Sequence, residues 1–137
     1  MLTPEIYAEK VYAIWEESLH KLNLLIGEKP EMTEELREKL MELKEETIQK
    51  LIVYGKQHSE MPDAERQSSC NRMVMKMGGM ASNPNWANTM NECFKHYSAI
   101  DRTFSNEISK FNIITQYADF ELLKKQAPAE AERLGLV

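Results

Sequence analysis

A thiol and an imidazole stand one helical turn apart in Cys93-Phe94-Lys95-His96, and a second thiol, Cys70, lies upstream. Sulfur and imidazole nitrogen are the ligands that zinc and copper(I) select, so Cys70, Cys93 and His96 are candidates for a soft-metal site. A structural zinc takes four such ligands, and the spacing offers no fourth. Cys93 also falls on an apolar stripe, where a thiol serves as a small hydrophobe. Met73, Met75, Met77 and Met80 add thioethers. Helical geometry puts Met73, Met77 and Met80 on the side of Cys70 and turns Met75 away, which suits core filling better than copper ligation. Glu17-Ser18-Leu19-His20 matches the Glu-x-x-His element of carboxylate-bridged di-iron bundles. Those sites need two such elements, and the chain has one.

Glu42-Leu43-Lys44-Glu45 and Glu60-Met61-Pro62-Asp63 are two carboxylate pairs, and hard oxygen ligands are what magnesium requires. Over residues 42–63 the chain resembles the all-α, MazG-like nucleotide pyrophosphohydrolases. That resemblance implies magnesium held against a triphosphate by Glu42, Glu45, Glu60 and Asp63. Two basic rows, Ser69/Arg72/Lys76 and Lys95/Arg102/Lys110, could meet an anion if adjacent, although long cations also cover bundle flanks. Nothing resembles a phosphate-cradling glycine loop, a serine-hydrolase elbow, a Cys-x-x-Cys pair or a helix-turn-helix.

The elements that must position these residues are helices. From Trp86 to Ala118 apolar residues recur at alternating spacings of four and three, with one gap at Glu107 that Ile108 covers, and no Gly or Pro interrupts residues 85–127. That predicts a long helix over 84–118, launched by Asn83-Pro84, with a break plausible where weak helix formers gather at 103–106. Thr3-Pro4 caps a first helix over 4–26, with Gly27 as its stop. Thr33 caps a second over 34–54, closed by Gly55. Pro62 opens a third over 62–78, closed by Gly78-Gly79. Asp119 caps a short helical turn over 119–126, and Pro128 begins another over 128–134, ended by Gly135. The predicted fold is all-α: an up-and-down bundle of four main helices with a short helical C-terminal extension, in one domain over 1–137.

Composition supports that reading. The 42% hydrophobic and 28% charged fractions over 137 residues are those of a folded chain. The whole net charge of −5 sits in residues 1–55, with twelve acids against seven bases. An acidic surplus argues against nucleic acid as a partner. The longest apolar run, Val11 to Trp15, is too short to span a bilayer. Two cysteines make no disulfide framework, and no signal-peptide pattern opens the chain, so a cytoplasmic setting is expected.

The first helix carries two apolar seams. One runs Tyr7, Val11, Ile14, Leu22, Leu25; the other runs Ala8, Tyr12, Trp15, Leu19, Leu22, Ile26. A helix apolar over so wide an arc is either central in its own fold or shared with a partner. The reading favoured at this level is the second: a non-enzymatic cytoplasmic interaction protein, self-associating as a homodimer or binding another protein through Ala8, Tyr12, Trp15, Leu19 and Ile26. It assigns no catalytic residue, metal ligand or cofactor. The alternatives are the magnesium-dependent pyrophosphohydrolase and a soft-metal-binding bundle.

Overall fold

Thr3 starts the first helix as its sequence requires. In the computed structural model its hydroxyl accepts from the Ile6 amide at 3.2 Å and its carbonyl from Tyr7 at 2.8 Å, with α1 running Pro4–Ile26. The structure describes residues 2–26, 33–81, 111 and 114–136, apart from the side chains of 23, 26 and 77–81. Most of the helix predicted over 84–118, including Cys93, His96, Lys95, Arg102 and Lys110, lies outside the described residues.

Thr33 caps α2 (Glu34–Ser59) through its side chain, which accepts from the Leu36 amide at 3.0 Å. Gly55, predicted to stop this helix, lies inside it and is buried. Its hydrogen answers to packing. A Cβ there would collide with the Phe120 ring and come within 2.7 Å of the Tyr117 carbonyl oxygen. The helix ends four residues later, where Glu60 and Met61 amides fold back on the Gln57 and His58 carbonyls.

Pro62 directly precedes α3 (Asp63–Ala81), and its carbonyl accepts from the Glu65 and Arg66 amides, both at 3.0 Å. The helix passes through Gly78-Gly79, where an end was expected. Residues 114–118, assigned from periodicity to a long α-helix, form a tighter 3-10 turn whose last bond joins the Asp119 amide to the Gln116 carbonyl. Asp119 then caps α4 (Phe120–Gln126), and Pro128 opens α5 (Pro128–Arg133), both as predicted. Gly135 closes α5 at φ +75°, with the Leu136 amide reaching the Ala131 carbonyl at 2.9 Å and the Gly135 amide reaching Glu132 at 3.0 Å. That is the paired closure a left-handed glycine permits.

Among the described residues the fold is an all-α bundle without strands. The first helix is its centre. It packs on both α2 and α3, while the 3-10 turn rests on α2 and α1 and α4 rests on α2. Two neighbours on different sides explain two apolar seams: Tyr7, Ala8, Val11, Trp15, Leu19 and Leu22 are all buried. Each large aliphatic sealed in this way contributes about 1.5–3 kcal/mol. Ion pairs tie the outer edges, Lys21 to Glu46 at 3.5 Å and Arg72 to Glu5 at 3.4 Å. No helix among the described residues is long and apolar enough to cross a membrane.

Candidate metal centre

His58 sits in the last turn of α2 because that helix continues past Gly55 on the stripe of Leu51. Cys70 lies on α3, and Asp119 precedes α4 as its cap. The bundle brings the three together. Cys70 Sγ donates to Asp119 Oδ2 at 3.2 Å and stands 3.9 Å from His58 Nε2. All three ligand atoms lie within 4.8 Å of one another, the only such group of three or more among the described residues.

Two supports fix the group. The Tyr7 ring stacks on the His58 imidazole with centroids 4.8 Å apart, and its hydroxyl donates to the Ala118 carbonyl at 2.5 Å. Tyr7 therefore holds the imidazole and the residue before Asp119 at once. Asp119 divides its carboxylate: Oδ1 accepts from the Leu122 amide at 3.2 Å while Oδ2 faces the thiol. Below, buried Ser69 donates to the Glu65 carbonyl at 2.9 Å and approaches Met61 Sδ at 3.6 Å, setting the turn between α2 and α3.

Burial pushes the Cys70 thiol up to about 12, and the neighbouring Asp119 adds to the rise. Burial lowers the His58 imidazole below its ordinary value, with Asp119 in partial opposition. The Tyr7 phenol is raised by burial first and then by the charges of Asp119 and Cys70. Burial thus favours the neutral forms of both the thiol and the imidazole. A protonated sulfur bonded to an acid is a poor nucleophile, and a cysteine–histidine hydrolytic centre is not what this arrangement supplies.

The donors fit a metal ion. Tetrahedral zinc, with bonds of about 2.3 Å to sulfur and about 2.0 Å to nitrogen or oxygen, needs its donors roughly 3.3–3.6 Å apart. The Cys70 spacings of 3.2 and 3.9 Å lie on either side of that range, and the three donors stand within 4.8 Å of one another, so an ion would draw His58 and Asp119 inward. A divalent ion with one thiolate, one carboxylate and a neutral imidazole leaves the half-buried centre without net charge, which limits the desolvation cost. One nitrogen, one sulfur and one oxygen suit zinc, whereas magnesium prefers oxygen alone and copper(I) prefers sulfur. Three protein ligands leave a fourth position, and the group borders an open cleft of about 510 Å³ rimmed by Arg66, Gln67, Asn71 and Glu121.

Of the three residues in the alternative soft-metal reading, Cys70 is in this group; Cys93 and His96 lie outside the described residues. His58 and Asp119 were missed, because they stand 12 and 49 residues from Cys70. The magnesium acids do not converge. Glu45 and Glu60 are separated by fifteen residues along α2, about 22 Å at 1.5 Å per residue, with Glu60 at the helix end. Glu45 pairs with Arg133 at 3.1 Å, and exposed Asp63 pairs with Arg66. Glu17 pairs with Lys21 at 3.3 Å, joined by no second Glu-x-x-His. Of the basic row on α3, Ser69 is buried, Arg72 pairs with Glu5, and Lys76 lies over the Tyr12 ring at 5.6 Å.

Three of the five predicted docking residues are buried within the chain. Ala8, Trp15 and Leu19 are 1%, 4% and 1% exposed, and the Trp15 indole donates to the Phe111 carbonyl at 2.9 Å. They are core because α1 has a neighbour on each side. Tyr12 is half-buried against Trp15 and Lys76, and the Ile26 side chain lies outside the described residues. No family model, curated protein or solved structure matches this chain.

Proposed function

We propose that this protein is a zinc-binding helical bundle whose ion is held by His58, Cys70 and Asp119, with a fourth, exchangeable position open to the adjoining cleft. The carrying observation is convergence: a soft, a borderline and a hard donor from three separate elements meet within 4.8 Å. Tyr7 supports the reading by stacking on one ligand and anchoring the residue beside another. A bound ion would supply Lewis acidity at that fourth position. Forming the site displaces the Cys70 proton, so uptake of zinc releases acid.

The test is stoichiometric. The full chain, produced without chelator and given zinc, is analysed for metal content beside His58→Ala, Cys70→Ser and Cys93→Ser. One zinc per chain in the wild type and in Cys93→Ser, lost in the other two, supports the centre. A wild type that carries no zinc contradicts it. So does zinc that follows Cys93 rather than His58.

A further inference from the structure

We infer that zinc at this centre acts as a clasp: its occupancy governs whether the C-terminal segment, residues 114–136, stays docked on α1 to α3. The inference rests on the zinc reading above and extends it from binding to control.

Asp119 is the sole ligand of the three that belongs to the segment; His58 and Cys70 belong to α2 and α3. The segment itself is built of pieces of five, seven and six residues. Helices that short do not persist alone in water, so their structure depends on docking. Three attachments crowd around the ligand, while the Arg133–Glu45 ion pair at 3.1 Å ties the far end of the segment to α2. Tyr7 holds the Ala118 carbonyl, Cys70 holds Asp119, and Gly55 receives the Phe120 ring against its bare Cα. Between two of these ties sits a bond from a weak S–H donor. Replacing it with coordination to both sulfur and oxygen strengthens the middle of the row.

One carboxylate carries the coupling. Asp119 Oδ2 faces the metal position while Oδ1 caps the start of α4 at the Leu122 amide. Holding one oxygen orients the other, so occupancy is felt in the first turn of α4. When the segment lifts, Asp119 leaves and the site is reduced to two ligands. Any ligand that binds only the docked form suppresses the opening in proportion to 1 + [L]/Kd. The undocked form would bare the side of the segment that carries Ile114, Tyr117, Phe120 and Leu123, all buried when docked. Zinc depletion would then be converted into an exposed apolar face.

Hydrogen exchange on the full chain, with zinc binding measured by calorimetry on the same samples, tests this. At zinc one hundred times Kd, amides of residues 120–134 are expected to exchange up to about 100-fold more slowly than in the apo protein, with α1 changing far less. Asp119→Asn keeps a good capping residue and removes the anionic ligand. In that variant zinc is expected to leave the exchange of the segment unchanged. One-to-one zinc binding with no change in the segment, or with equal slowing across α1, overturns the clasp and leaves the metal centre standing. Absence of zinc binding removes both.

Discussion

Tyr7 and His58 stack face to face at 4.8 Å, 30° from parallel, although 51 residues separate them in the chain. The pair joins the first turns of α1 to the last turn of α2, and the Tyr7 hydroxyl extends the contact to Ala118. Tyr7→Phe keeps the ring and removes that hydrogen bond. The expected cost is about 1–2 kcal/mol in urea unfolding, since a buried carbonyl loses its donor. Zinc affinity should fall with it, because the residue beside Asp119 is no longer anchored. Unchanged affinity would show that Tyr7 serves folding alone.

Gly55→Ala tests the close approach of α2 to the C-terminal segment. Alanine favours a helix by about 1 kcal/mol over glycine, so an isolated helix would gain. Here the new methyl meets the Phe120 ring and the Tyr117 carbonyl. Overpacking of this kind costs about 1–3 kcal/mol, and the net change in thermal stability should be a loss. Zinc titration should also weaken, since Phe120 adjoins Asp119. A stabilised Gly55→Ala would refute the contact.

The Cys70 thiol gives a pH signature in the metal-free protein. Its ordinary value is near 9, and the fold raises it to about 12. A group raised by folding stabilises below its unfolded value, and that contribution is lost as pH climbs from 9 towards 12. Wild-type stability should therefore fall more steeply over that window than that of Cys70→Ser. Tyr7 and Tyr117, also raised, add an alkaline loss common to both proteins. Parallel profiles from denaturant midpoints would contradict the buried thiol.

Trp15 separates core from interface. Trp15→Phe removes the indole bond to the Phe111 carbonyl and part of a buried ring, at a cost of roughly 1–3 kcal/mol. Tyr12→Glu/Trp15→Glu should give an unfolded chain by circular dichroism and sedimentation. Tyr12→Glu alone, at a half-buried position, should stay folded. A wild-type dimer that the double variant converts into a folded monomer would restore the seam as an interface.

Local chemistry made much of the fold legible. Thr3, Thr33 and Asp119 cap where their side chains and the following residues say they should, and Gly135 ends α5 by the conformation it alone adopts easily. The breadth of apolar surface on α1 was legible too, but not its owner. Sequence cannot separate two internal neighbours from one neighbour and a partner. Gly55 misled because a glycine after a periodic stripe reads as a stop, whereas tertiary contact with Phe120 is what requires it. That error hid His58, which extends the inner row of Leu51 by two further turns. The spacing around Asp119 signals its cap, which uses one carboxylate oxygen and leaves the other for Cys70. No local spacing links three ligands drawn from two helices and a loop.

Cobalt substitution tests the central claim most directly. Cobalt(II) added to the apo protein should produce the strong visible bands of four-coordinate geometry and a near-ultraviolet sulfur-to-metal charge-transfer band. Cys70→Ser should abolish the charge-transfer band and Cys93→Ser should keep it. A weak octahedral spectrum in the wild type, or a charge-transfer band that vanishes with Cys93 instead, would contradict a centre built from His58, Cys70 and Asp119.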